Sequence, residues 1–239
     1  MSVSISARLL CAAEFVRRGS IVADIGTDHA YLPIYLIQNG LASHVYACDI
    51  RQGPLDNAAA CIRRCLPGDD RITLLRADGM QGVPDCDDYV IAGMGGQTIC
   101  GILQRASSCI CSGDKRLILQ PMTARDDLRR YLYCSGFEIV DERVCSESQG
   151  KFYCVICAEY TGRRVEYRTV DLFFSPALRR RMGEADVAAY HAYMLSVFEK
   201  AIGGIKKSVC PQIDILNKYE ALYEELRGIV HECDGKRTV

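Results

Sequence analysis

The sequence predicts a doubly wound α/β fold with an antiparallel last strand, followed by a C-terminal helical hairpin. Five short apolar runs, at 21–25, 45–50, 72–77, 89–92 and 117–119, alternate with helix-like stretches. Each run is apolar enough to be covered on both faces, which is the mark of a parallel sheet. Two further β-rich runs, about 137–147 and 151–160, are joined by Ser148-Gln149-Gly150 and read as a hairpin closing the sheet. After Gly162 the apolar period changes to three and four.

Taken in order, the first run leads into Asp24-Ile25-Gly26-Thr27-Asp28-His29-Ala30 and then a helix-like Tyr31-Leu32-Pro33-Ile34-Tyr35-Leu36-Ile37. Pro54 suits the first turn of the helix after the second strand, and Gly136 suits the position just past a helix over 124–135. Val187, Tyr190, Met194, Val197, Phe198, Ala201 and Ile205 form one helical stripe, and Leu216, Tyr219, Tyr223, Leu226 and Val230 a second. Gly203-Gly204 weakens the first of these helices near its end and Pro211 suits the start of the second, so the two are expected to lie antiparallel. The division expected is 1–162 for the sheet domain and 163–239 for the helical domain.

At 239 residues, 49% hydrophobic and 25% charged, the chain has room for a sizeable core. No leader pattern opens it and no run is long enough to cross a bilayer, so it reads as soluble, without a membrane partner, and cytoplasmic. The 14 cysteines are scattered and read as reduced thiols. Cys154 and Cys157 fall on opposite faces of a strand. Cys61 and Cys65 can meet on a helix but have no second pair at ligand spacing, so no metal is expected. A net charge of −1 excludes a globally basic nucleic-acid binder. The local exception is Arg163, Arg164, Arg168, Arg179, Arg180 and Arg181, opposed within 163–181 only by Glu166 and Asp171, which is either an RNA-facing patch or a solvated face. A monomer is favoured, although sequence does not set the oligomeric state.

The loop after the first strand is the natural ligand cradle of an open α/β sheet. It is not a dinucleotide fingerprint, because only Gly26 is a glycine. Asp24, two residues before it, suits the ammonium of an amino acid group such as that of S-adenosyl-L-methionine. Asp49 ends the second strand, where two carboxylate oxygens can take both ribose hydroxyls; NAD and S-adenosylmethionine share that ribose, so Asp49 does not choose between them. Asp78 can accept from an adenine amino group, with Gly79 permitting the turn. Ala92-Gly93-Met94-Gly95-Gly96 lets the backbone pass close to a ligand or an incoming base. For each acid alone a cap or turn role serves as well; the shared strand-end position is what groups them.

At these residues the sequence resembles the bacterial tRNA (adenine(22)-N(1))-methyltransferase family, TrmK. The matching pieces are Ala23-Asp24-Ile25-Gly26-Thr27-Asp28-His29-Ala30-Tyr31-Leu32-Pro33, Gly53-Pro54, Ile91-Ala92-Gly93-Met94-Gly95-Gly96, Leu117-Ile118-Leu119-Gln120-Pro121 and Gly150-Lys151-Phe152-Tyr153. The resemblance runs from about residue 4 to 160, and more loosely to the end. It implies a Rossmann-like class I methyltransferase sheet, a C-terminal coiled coil, S-adenosylmethionine as donor, and adenine N1 in the tRNA D-loop as acceptor. Carried across, Asp24, Gly26, Asp49 and Asp78 would bind cofactor and Asp28 would face the target base. By their position beside these, Gly79, Ala92 and Gly93 are further cofactor candidates, and His29, Tyr31, Met94, Gly95, Gln120 and Pro121, with Arg179, Arg180 and Arg181 of the basic patch, are candidate substrate contacts. This chain departs from the family at Cys48-Asp49, where Gly-Glu is usual, at Met122, where Asn is usual, and at Ser175, where Gly is usual.

Adenine N1 carries an in-plane lone pair, so the reaction needs alignment and electrostatics rather than a strong base. Asp28 can accept from the adenine amino group and raise electron density at N1; without the resemblance it reads as a helix N-cap. His29 fits packing or a backbone hydrogen bond as well as acid–base work, and Tyr31 either stacks on a base or belongs to the core. A D-loop adenine would have to be extruded to reach the site. Two rivals from other classes are an NAD-dependent oxidoreductase and a catalytically silent tRNA-binding relative, the latter motivated by Met122.

Overall fold

The computed structural model describes residues 3–111, 114–147, 150–208 and 212–234. Seven strands form one sheet in the order β3-β2-β1-β4-β5-β7-β6. They are β1 (Ser20–Ile25), β2 (Ala42–Asp49), β3 (Ile72–Arg76), β4 (Asp88–Met94), β5 (Arg116–Pro121), β6 (Phe137–Glu147) and β7 (Lys151–Tyr160). β1 to β5 pair in parallel, and β7 is antiparallel to both β5 and β6. The hairpin therefore does more than extend the sheet: its second strand is inserted between β5 and its own partner. The Ser148-Gln149 part of its turn lies outside the described residues.

The helices are α1 (Ala7–Ala13), α2 (Tyr31–Gln38), α3 (Gln52–Cys65), α4 (Gly96–Arg105), α5 (Ser107–Ile110), α6 (Arg125–Cys134), α7 (Pro176–Arg180), α8 (Ala185–Lys206) and α9 (Ile213–Asp234). Period-2 alternation divides the buried residues of the central strands between two cores. Ala23, Ile91, Leu117, Leu119 and Ile156 face α4 and α6, while Val22, Val45, Val90, Ile118 and Val155 face α1 and α2. β3 stands at the sheet edge, and each of its residues is partly exposed or exposed, although Ile72 and Leu74 pack on one face and Leu75 on the other.

Helix ends follow the expected chemistry with small shifts. Pro54 is the third residue of α3, and Gly136 sits past α6 with φ +83°, a conformation glycine adopts without strain. The run Gly93-Met94-Gly95-Gly96 is not a loop. β4 continues to Met94 through a bulge at Gly93, and Gly96 already opens α4. Gly96 has no room for a side chain, since a Cβ there would lie 2.2 Å from the Ala124 carbonyl oxygen.

α8 and α9 are antiparallel. His191 bonds the Leu226 carbonyl at 2.8 Å, the Tyr223 hydroxyl donates to Glu199 at 2.6 Å, and Lys206 pairs with Glu220 at 2.7 Å, so one helix descends as the other climbs. α8 continues through Gly203-Gly204 rather than failing there; Pro211 lies outside the described residues. Two stripe positions need correction. Val197 is exposed, and among the described side chains of α9 the expected Leu226 is buried while Tyr219 and Tyr223 pack half-buried on the same core, whose other buried α9 residues are Leu222 and Ile229, outside the expected stripe. Val144 and Cys154 of the sheet, Phe174 and Leu178 of the connection, and Tyr190 and Phe198 of α8 share one core with them.

The two parts of the chain are joined by a buried charge network. The guanidinium of Arg129 on α6 donates to Glu142 on β6 at 2.5 and 3.2 Å and to the Leu172 carbonyl at 2.6 Å. Glu142 also accepts the Ser175 hydroxyl at 2.6 Å, and Ser175 in turn caps α7 by accepting the Leu178 amide at 3.2 Å. Cys154 and Cys157 lie on opposite faces of β7, as the strand period requires, and every cysteine side chain described is a free thiol. No described helix is long and apolar enough to cross a membrane. No group of three or more potential metal ligands gathers among the described residues.

Candidate active site

β1 and β4 are neighbours although β2 and β3 intervene in the chain. The connections leave them on opposite sides, and their carboxyl ends part over a crevice. There the β1–α2 turn, the end of β4 and the N-terminal helix α1 enclose a cavity of about 370 Å³. Asp24, Gly26, Asp28, His29, Tyr31, Ala92 and Gly93 all line it, so the structure gathers seven of the residues that the sequence singles out.

Asp24 is buried at the end of β1, and burial pushes its carboxyl up to about 6, with Asp49 raising it further. No basic side chain pairs with it among the described residues. Thr27 beside it is buried, and its hydroxyl, facing the Asp24 carboxyl, partly offsets the effect of burial. A cation entering the cavity would meet an acid held out of water. Gly26 adopts φ +87°, a conformation that other residues adopt only with strain, and a Cβ there would have to displace the flexible end of Met94.

The opposite charge comes from Arg8 on α1, a residue that no sequence motif marks. Its Nη1 donates to Gln120 Oε1 at 3.1 Å, the Gly93 amide donates to the same oxygen at 3.0 Å, and no carboxylate pairs with the guanidinium among the described residues. Gln120 is fully buried, so it holds the arginine over β4 without neutralising it. An acid on one wall and an unpaired guanidinium on another fit the ammonium and carboxylate of an amino acid group.

Asp28 is not a helix cap. α2 begins after Ala30, whose left-handed φ of +54° turns the chain, and no side chain caps that helix. The Asp28 carboxylate is instead largely exposed at the cavity, 3.4 Å from His29 Nε2. His29 stacks on Tyr31 with ring centroids 5.2 Å apart, and Tyr31 is 40% exposed, so it is not a core residue.

Asp49, Asp78 and Gly79 do not line this cavity. Asp49 accepts the Arg51 amide at 2.8 Å, while Asp78 sits in a separate depression and pairs with Arg105 at 3.4 Å. Gly79 has φ +61° beside Ile102. Met94, Gly95, Gln120 and Pro121 do not line the cavity either; they lie at the ends of β4 and β5, where the Met122 amide bonds the Met94 carbonyl at 2.8 Å.

The arginine run is more fully paired than the two opposing acids within 163–181 imply. Arg179 pairs with Asp171, and Arg181 holds Asp141 at 2.5 and 2.8 Å and Glu184 at 2.5 Å. Arg180 donates to the Val140 carbonyl at 3.1 Å. Counting acids within 163–181 omits Asp141 and Glu184, which the fold brings to the same place. Arg163 and Arg164 are exposed with no ion pair among the described residues.

A methyltransferase-domain family model matches residues 5–156. The tRNA (adenine(22)-N(1))-methyltransferase of Bacillus subtilis (strain 168) is 36% identical over 172 residues, which is 71% of each chain. The crystal structure of the B. subtilis m1A22 tRNA methyltransferase TrmK superposes with a TM-score of 0.81 at 28% identity, covering 95% of this chain and 99% of that one. A structure of M. capricolum TrmK with S-adenosylhomocysteine, the cofactor product, gives 0.74 at 26% identity over 96% and 98%.

Proposed function

We infer the reaction from membership: this chain belongs to the tRNA (adenine(22)-N(1))-methyltransferase family, and it transfers a methyl group from S-adenosylmethionine to N1 of adenine 22 in the tRNA D-loop. The observation that carries the reading in this chain is the cavity at the β1/β4 crevice, where a buried carboxylate and an unpaired guanidinium suit the amino acid end of that donor. When bound, the donor supplies an electrophilic methyl on sulfur.

The protein's part is binding, orientation and electrostatics. Asp24 takes the ammonium and Arg8 the carboxylate. Gly26 and Gly93 let the backbone approach, and Asp49 and Asp78 serve the ribose and adenine. Asp28 accepts from the exocyclic amino group of the incoming adenine, which raises electron density at N1 and stabilises the positive charge that the base acquires. Tyr31, stacked on His29, offers a face for the extruded base. No proton leaves N1 before attack, so no residue is assigned as a strong base.

The further parts of the proposal are a cofactor-binding unit over 1–162, a helical coiled-coil unit over 163–239 that holds the tRNA body, and action in the cytoplasm as a monomer. The deciding experiment incubates purified protein with labelled S-adenosylmethionine and bulk tRNA from a strain lacking the enzyme, followed by nucleoside mass spectrometry. Label in 1-methyladenosine is expected. Its absence from RNA would sink the assignment and favour the silent relative motivated by Met122.

A further inference from the structure

A second cavity, of about 220 Å³, adjoins the first across Met122, which lines both. It is lined on one side by the β5–α6 turn (Met122 to Ala124) and the first residues of α6, Arg125 and Asp126, and elsewhere by Phe173 and by Tyr190 and Met194 of α8. It therefore lies on the seam where the sheet meets the C-terminal helices, and neither part encloses it alone.

Its chemistry is that of a site rather than of a packing fault. Arg125, the first residue of α6, has its Nη2 on the Phe152 carbonyl at 3.1 Å and its guanidinium 5.9 Å from the centroid of the Tyr190 ring. Its Nε is buried and has no hydrogen-bond partner, and no carboxylate pairs with it among the described residues. A buried donor without a partner is costly to keep unless something arrives to bond it. The neighbouring Arg129 does not supply free charge, since Glu142 neutralises it. Asp126, also in the wall, supplies acceptors. Donors, acceptors, an aromatic ring and two flexible thioethers around a volume of this size match one flat polar ring carrying donors and acceptors on one edge. The turn is also strained: Ala124, its lip, has φ +50°, which a non-glycine residue adopts at a cost and which gathers at ligand sites.

We propose that this cavity receives the nucleobase next to the methylated adenosine in the RNA strand, with Arg125 bonding its edge, so that Met122 separates the acceptor base from its neighbour. The proposal rests on the RNA methyltransferase reading above. It makes Arg125 a positioning residue for the substrate rather than a group in methyl transfer, and it gives the C-terminal helices a direct part in placing the acceptor.

The test uses the full chain, its tRNA, and transcripts with an abasic site on one or the other side of the acceptor. Steady-state methylation by wild type, Arg125→Met and Arg125→Lys is read as kcat and KM separately, with calorimetry of S-adenosylmethionine and thermal melts on the same samples. Arg125→Met is expected to raise the KM for tRNA on the order of tenfold with kcat within about twofold and cofactor affinity unchanged, as for removal of one charged hydrogen bond. Arg125→Lys, which keeps the charge but not the fork, should recover part of it. One of the two abasic transcripts should raise the wild-type KM similarly and have little added effect in Arg125→Met, the non-additivity of a shared interaction. An unchanged KM in a folded Arg125→Met, additive effects with both abasic transcripts, or a loss confined to cofactor affinity would each overturn the proposal while leaving the methyltransferase reading intact. No methylation of tRNA by the wild type would remove both.

Discussion

Arg8 and Gln120 meet at 3.1 Å across the crevice, a helix residue held by the end of a strand distant from it in sequence. Because Gln120 is neutral, the guanidinium keeps its full charge for a ligand carboxylate. Arg8→Ala should weaken S-adenosylmethionine binding by about 1.5–3 kcal/mol, roughly tenfold or more, and leave tRNA affinity alone. Calorimetry with cofactor and a filter-binding titration with tRNA check the two halves; an unchanged cofactor Kd would remove Arg8 from the site.

Asp24 should make cofactor binding depend on pH. Its carboxyl is raised from 3.8 to about 6 in the free protein, and the ligand ammonium needs the ionised form. The Kd should therefore rise as pH falls below about 6, by about tenfold per unit. Stability should run the other way. The native state holds the proton more tightly, so stability contributed by neutral Asp24 is present at low pH and is lost between 3.8 and about 6, amounting to roughly 3 kcal/mol. Asp24→Asn should flatten both profiles, as measured by calorimetry and by denaturant melts across pH 4 to 8.

Asp28 caps no helix, so its removal should cost little stability. Asp28→Ala is expected to keep the melting temperature and cofactor affinity while slowing methyl transfer about a hundredfold, equivalent to about 3 kcal/mol in the barrier. Asp28→Asn separates charge from hydrogen bonding, since the amide keeps an acceptor. Near-normal single-turnover rates in the alanine variant would refute the assignment.

Charge for the RNA backbone should come from Arg163 and Arg164 rather than from Arg181. Changing Arg163 and Arg164 to Glu should weaken tRNA binding and flatten its dependence on log salt by about one unit for each phosphate that is no longer neutralised. Arg181→Ala should instead lower stability by about 1 kcal/mol through its pairs with Asp141 and Glu184, with the salt slope unchanged. Binding titrations at several salt concentrations distinguish these outcomes.

Breaking the junction network should be the costliest change. Glu142→Gln leaves Arg129 buried without its charge partner and should destabilise by about 3–5 kcal/mol. Ser175→Ala removes both a donor to Glu142 and the α7 cap and should cost about 1–2 kcal/mol. Urea melts test both, and an effect below about 1 kcal/mol for Glu142→Gln would show that the pair is dispensable.

The sheet is legible in the sequence because its strands are locally marked. Apolar runs ending in Asp24, Asp49 and the Asp78-Gly79 turn give both the period and the ligand side, and the 137–147 and 151–160 runs coincide with β6 and β7. What escapes depends on long-range partners. Arg8 carries no motif and matters only because α1 packs beside the ends of β4 and β5. Arg181 reads as free until Asp141 and Glu184, both outside 163–181, are brought beside it. On α9 the expected Leu226 is buried, but the tyrosines at 219 and 223 satisfy the period and sit only at the rim of the core, while Leu222 and Ile229, outside the expected stripe, fill it. Ser175 is inconspicuous in sequence because its partner Glu142 belongs to another element.

The insertion of β7 between β5 and β6 constrains the order in which the molecule can be made. On the ribosome β6 emerges first, yet its only ladder neighbour is β7, so residues 137–147 have no strand to join until Tyr160 has been synthesised. During that interval the nascent sheet ends at β5, an apolar edge with unpaired backbone groups. A chain that ends near residue 147 and has left the ribosome thus exposes two sticky strands at once, and completion of β7 conceals both in a single step.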